Sequence, residues 1–129
     1  MTTTTLDKVI GDFGGAVGVL KIDIEGHELQ AFSGAQESLE SGKIRDIIYE
    51  DYGDMDSAVS RLLRSFGYSI FGLDKTLFGL VLRERSKAVQ PFEPPNLLAT
   101  LNPARARQRM ARRGYNCLNK RPGLRATVG

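Results

Sequence analysis

The chain has a single cysteine, Cys117, so it cannot form an internal disulfide, and a four-cysteine metal site is excluded. It has no tryptophan and one histidine, His27. No apolar run approaches the length of a membrane span. The opening MTTTTLDKV lacks the basic and apolar regions of a secretory signal, and a reducing cytoplasm is the expected compartment. Acid is missing from the carboxyl end. Residues 99–129 carry eight basic side chains and no Asp or Glu, whereas residues 1–98 carry ten basic and fifteen acidic groups. The net charge of +3 therefore hides a mildly acidic body with a basic tail.

What is present describes an ordinary globular chain. Its 129 residues suffice for one domain with a modest core, and 41% hydrophobic with 26% charged residues is usual composition. The organising stretch is Val17 to Ala35. Val17, Val19, Leu20, Ile22 and Ile24 make an apolar strand of about 16–24, which breaks into acid, glycine and histidine and resumes as an amphipathic helix. Alternation places Leu20, Ile22 and Ile24 on one face and Lys21, Asp23 and Glu25 on the other. A charged row needs partners or a cavity; Lys21 can pair with Asp23 or Glu25, or the row lines a pocket. One carboxylate at a helix start is accounted for by the helix dipole. Asp23, Glu25, His27 and Glu28 within six residues of a strand end read as a site.

The remaining elements follow in order. Residues 1–15 are polar, and Leu6, Val9 and Ile10 allow one helical turn after a Thr cap and nothing longer. Leu29, Phe32, Ala35 and Leu39 recur at helical spacing, with a break at Ser33-Gly34 and a stop at Gly42. Ile44–Tyr49 is a second strand ending in Glu50 and Asp51. Asp54 caps a helix carrying Met55, Ala58, Val59, Leu62, Leu63 and Phe66, closed by Gly67. Tyr68–Phe71 and Leu77–Arg83 form an antiparallel pair separated by Gly72, Asp74 and Lys75. Pro91, Pro94 and Pro95 mark a segment that is neither helix nor central strand. Asn102-Pro103 starts a basic helix of about 103–113. These observations predict an α/β fold of about four strands. It divides into residues 1–88 as the domain and 89–129 as a Pro-containing linker with a basic helical tail.

The string LKIDIEGHELQAFSGA, residues 20–35, resembles the signature of the FkbM-type S-adenosylmethionine-dependent methyltransferases. In that signature an aliphatic strand runs into Lys-Ile-Asp-x-Glu-Gly-x-Glu and the next helix carries a Gly-Ala step, here Gly34-Ala35. Thr5-Leu6-Asp7, Ile47-Ile48-Tyr49-Glu50, Phe66-Gly67-Tyr68 and the segment from Pro95 to Thr100 are similar to the family's surroundings of that string. The resemblance implies part of a class I methyltransferase, a Rossmann-like sheet, with a closing antiparallel hairpin. It also exposes a departure. The family's glycine-rich cofactor turn and ribose-binding acid precede the motif, and Gly11-Asp12-Phe13-Gly14-Gly15 has no apolar strand before it. The resemblance therefore implies the carboxyl half of the domain in a truncated or partial form, with binding of S-adenosylmethionine by this chain alone weak or absent. The strand at 17–24 would then have an open aliphatic edge, suited to self-association or to a partner chain.

By that resemblance the activity is methyl transfer to a hydroxyl of a small-molecule acceptor, whether sugar, polyketide or lipid. Asp23 or Glu25 is the candidate base or substrate-orienting carboxylate, and Asp23 lies near the cofactor's methyl group. Glu28 and Glu50 are candidate substrate-binding groups, although Glu50 could instead pair with Lys21. His27, which titrates near neutrality, is a rival base or substrate contact; an exposed residue at a helix start is the preferred reading for it. Spacing does not demand a metal, and none is assigned. The second function class is a non-catalytic interaction module whose arginines 105, 107, 109, 112 and 113, with Tyr115, contact an anionic partner. A solvated face, or pairing with the acidic body, is preferred to nucleic acid for these arginines.

Overall fold

A computed structural model describes residues 4–77, 79–84 and 94–111. Five strands form one sheet: β1 (Val17–Ile22), β2 (Ile44–Glu50), β3 (Ser69–Thr76), β4 (Gly79–Arg83) and β5 (Asn96–Thr100). Their spatial order is β1-β2-β5-β3-β4. β1 and β2 are parallel, whereas β5 is antiparallel to both β2 and β3, and β3–β4 is an antiparallel hairpin. The α/β class and the closing hairpin agree with the sequence reading.

The register divides the sheet's residues between two faces, because directly paired residues share a side. Leu20, Ile47, Ala99 and Ile70 align in one row, and Ile22, Tyr49 and Leu97 in the next. This face carries the core, and Phe32, Ala35, Leu39, Val59 and Leu63 pack onto it from the helices. On the opposite face lie Val19, Asp46 and Thr100, with Lys21, Ile48, Leu98 and Phe71. The helix α5 (Pro103–Met110) reaches this face, where Arg107 sits 4.9 Å over the Phe71 ring. Lys21 and Leu20 therefore separate to opposite faces, as alternation requires.

The helices follow from local chemistry. α1 (Leu6–Phe13) is two turns, longer than the single turn expected. Thr5 caps it through Lys8 N–H at 3.3 Å, and Asp7 ties it to the next layer. Asp7 Oδ2 and Oδ1 accept the Glu37 and Ser38 N–H groups at 3.1 and 2.8 Å, which caps α3 (Gln36–Glu40) from a distant part of the chain. α2 (Glu28–Ser33) stops before α3, and the break falls at Gly34-Ala35, next to the expected position. α4 (Ala58–Ser65) begins later than expected because Ser57, not Asp54, caps it; Ser57 Oγ accepts the Ser60 N–H at 3.0 Å. Residues 54–56 are instead a short 3-10 turn.

Two corrections concern strands. Gly72, Asp74 and Lys75 are not a connection but part of β3, which runs on to Thr76, so the hairpin turn is tighter. Asp74 is held there by Arg83 across the hairpin. Residues 96–100, read above as part of a linker, are β5, bonded on both sides at the centre of the sheet. Leu97 and Ala99 are fully buried there. Pro94 and Pro95 lie outside helix and strand, as read, and the strand begins directly after them, whereas Pro91 lies outside the described residues. The expected basic helix starts at Pro103 with Asn102 as its cap. Arg112, Arg113, Tyr115 and residues 119–129 lie outside the described residues. No helix among the described residues is long and apolar enough to cross a membrane.

Candidate functional site

Parallel β1 and β2 deliver their carboxyl ends to the same edge of the sheet, the edge at which open α/β sheets bind ligands. β1 ends at Ile22, so Asp23 and Ile24 already belong to the loop and not to the strand. The chain then turns sharply. Glu25 and Gly26 both have left-handed backbone, with φ of 50° and 94°. Glycine suits the second position because it has no Cβ to clash, and the strained non-glycine residue beside it is held by its neighbours. Glu28, at 6% exposure, reaches back from the start of α2 and accepts the Ile24 N–H at 3.3 Å. The loop between β1 and α2 is thus tied across its base.

The second wall comes from the loop after β2. Asp51 Oδ1 accepts the Gly53 N–H at 2.8 Å, and the Asp51 N–H donates to the Pro95 carbonyl at 3.4 Å. Gly53 packs closely on the α4 cap: a Cβ there would lie 2.9 Å from Ser57 Cβ. Between these walls lies a cleft of about 640 Å³, lined by Asp23, Glu25, Gly26, Glu28, Glu50, Asp51, Tyr52 and Pro94. Five of the eight are carboxylates, and no basic side chain lines the cleft among the described residues.

Four of the five residues singled out from the sequence, Asp23, Glu25, Glu28 and Glu50, meet in this cleft. His27 does not line it. It is exposed at the position before α2 and makes no side-chain capping bond. Lys21 is engaged by Asp23 at 3.2 Å, one of the two pairings expected from alternation. Tyr52 and Pro94 were not picked out from the sequence. Tyr52 follows the acidic pair at the end of β2 directly, so its signal was simple adjacency. Pro94 left no local signal, because only the pairing of Asn96 with Glu50 brings it to the cleft. Among the described residues no group of three or more His, Cys, Asp or Glu side chains is arranged to hold a metal ion.

Two of the three described arginines of α5 pair with acids of the same chain. Arg105 bonds Asp46 at 3.0 Å and Arg107 bonds Glu84 at 2.8 Å.

A family model, the methyltransferase FkbM domain, matches residues 1–70. The chain belongs to the FkbM methyltransferase family. The match spans α1, both parallel strands, the two walls of the cleft and α4. No curated protein and no solved structure matches the chain. Within the matched region, Asp23, Glu25, Gly26 and Glu28 of the string Lys-Ile-Asp-x-Glu-Gly-x-Glu line the cleft.

Proposed function

We propose that this chain serves transfer of a methyl group from S-adenosylmethionine to a hydroxyl oxygen, with the cleft at the ends of β1 and β2 as the place where the acceptor is held. One observation carries the reading: the carboxylates of the FkbM motif and of the end of β2 line one cavity. When bound, the cofactor supplies an electrophilic methyl on a sulfonium. The lining fits the positive end of that group, since carboxylates complement a sulfonium and an ammonium. It offers no basic partner for the group's carboxylate, so the fit covers the reacting end alone.

The chain's own groups then have definite tasks. Asp23 or Glu25 accepts the hydroxyl proton, a role that typically contributes 10²–10⁴-fold. Glu28 and Glu50 accept hydrogen bonds from neighbouring hydroxyls and fix the oxygen's direction. Such positioning is worth about 7–11 kcal/mol of barrier in favourable cases. The strained Glu25-Gly26 turn keeps the carboxylates aimed before the acceptor arrives. His27 remains a reserve contact from outside the lining.

The test is a methyl-transfer assay with labelled S-adenosylmethionine against panels of sugar, polyketide and lipid alcohols. Asp23→Asn and Glu25→Gln are compared with the unaltered chain. One of the two should fall by about a hundredfold or more at unchanged thermal stability. Full activity in both variants overturns the proton-acceptor role. Calorimetry should show weak or no binding of S-adenosylmethionine to the chain alone, and micromolar affinity would contradict that.

The free side of β1 is where a second copy of the chain adds a strand in this reading. Among the described residues β1 has a strand on one side only, and Val19 is 55% exposed. Sedimentation should show concentration-dependent association that Val19→Lys abolishes. A single monomer peak at every concentration removes this partner from the reading.

A further inference from the structure

The acceptor classes left open by the family differ in the lining that each requires. A lipid or polyketide alcohol presents extended apolar surface and needs a correspondingly apolar pocket. The cleft has no aliphatic residue in its lining; Gly26, Tyr52 and Pro94 stand beside five carboxylates. Carboxylates only accept hydrogen bonds when ionised, and two oxygens on one group match a pair of neighbouring hydroxyls. An acceptor bearing phosphate or carboxylate would face five carboxylates, of which Asp23 is paired with Lys21, and no basic side chain among the described residues of the lining.

Tyr52 supplies the remaining part of the pattern. It is 61% exposed and lines the cleft. Exposure alone decides nothing, since Phe13 and Leu77 are more exposed still. Tyr52 differs in being a cleft residue on a fixed mount. The Asp51 carboxylate holds the turn around it, and Gly53 is pressed against Ser57 so closely that no side chain fits at that position. An aromatic ring bared to solvent on a rigid turn is suited to cover the C–H face of a ring-shaped ligand, with its hydroxyl left to bond.

We infer that Tyr52 is the acceptor-positioning residue of this site and that the acceptor is an uncharged ring polyol, a pyranoside, stacked on Tyr52 with its hydroxyls on the cleft carboxylates. The inference rests on the acceptor site proposed above, but its test needs no cofactor. Saturation-transfer NMR is run on the whole chain with three probes: methyl β-D-glucopyranoside, methyl β-D-glucopyranosiduronate and decanol. The neutral pyranoside should receive saturation, strongest at its ring C–H protons, and the uronate and decanol should receive little. Tyr52→Ala should weaken pyranoside binding about three- to tenfold, the range of an aromatic contact, at an unchanged melting temperature. Tyr52→Phe should restore most of it. Preference for decanol or the uronate overturns the inference, as does undiminished pyranoside binding by Tyr52→Ala. Absence of any saturation of the pyranoside also overturns it. Pyranoside binding without methyl transfer would sink the catalytic reading and leave Tyr52's role intact; transfer to a lipid alcohol would do the reverse.

Discussion

Asp46 sits at 5% exposure on the face of the sheet opposite the main core. Its carboxylate accepts from Thr100 Oγ1 at 2.6 Å, Arg45 Nε at 2.9 Å and Arg105 at 3.0 Å. Asp46→Asn keeps the shape and removes the charge facing both guanidinium groups. A loss of about 1.5–3 kcal/mol is expected, the scale of bonds to charged groups, read by urea denaturation. Glu84→Gln, which removes the exposed partner of Arg107, should cost less than about 0.5 kcal/mol. Tyr68 lies nearby and donates to the Ile44 carbonyl. Burial, reinforced by the charge on Asp46, pushes its hydroxyl up to about 12 from 10.0. The neutral phenol is the form the fold favours. Its contribution is therefore whole below about pH 10 and is lost as pH rises through about 12. Ultraviolet titration should show one phenolate appearing late and together with unfolding, and Tyr68→Phe should remove that step.

The element that joins sequence-distant parts most directly is the pair of helices α1 and α3, bridged by Asp7. Burial alone would raise the Asp7 carboxyl. The Ser38 hydroxyl and N–H, the Glu37 N–H and the charge on Lys43 outweigh it and hold the group below its ordinary value. A depressed carboxyl gives stability that is present above the unfolded value of 3.8 and lost as pH falls through the lower folded value. The acid limb of the stability curve should therefore be shallower in Asp7→Asn. That variant should also lose about 1 kcal/mol at neutral pH as a damaged cap. This bridge was not legible in the sequence, although the Thr cap and, to within one residue, the break between α2 and α3 were. Caps and breaks are written within four residues, whereas Asp7 and Ser38 are brought together by packing alone. The same distinction explains the strands. The alternation of Leu20, Lys21 and Ile22 predicted their faces, while Asn96–Thr100 followed prolines and showed its role only through neighbours on both sides.

At the scale of the molecule, the cleft was half legible. Acids at the ends of two strands are visible in the chain, and parallel pairing brings them together. Pro94 joins them only because β5 enters the sheet beside β2. The fold consequently depends on its late segment. A chain ending at residue 95 should lose its cooperative melt, because β2 and β3 would no longer share a strand; a sharp transition in that variant would show that the earlier elements suffice. The order of the strands also bears on synthesis. β5 is the last of the described strands in sequence and the middle one in space, so β2 and β3 leave the ribosome with their facing edges unbonded. The sheet closes like a clasp and not like a zip. During that interval the nascent chain has two sticky flanks, and slow translation or scarce chaperones should lower its yield more than they would for a sheet laid down in sequence order.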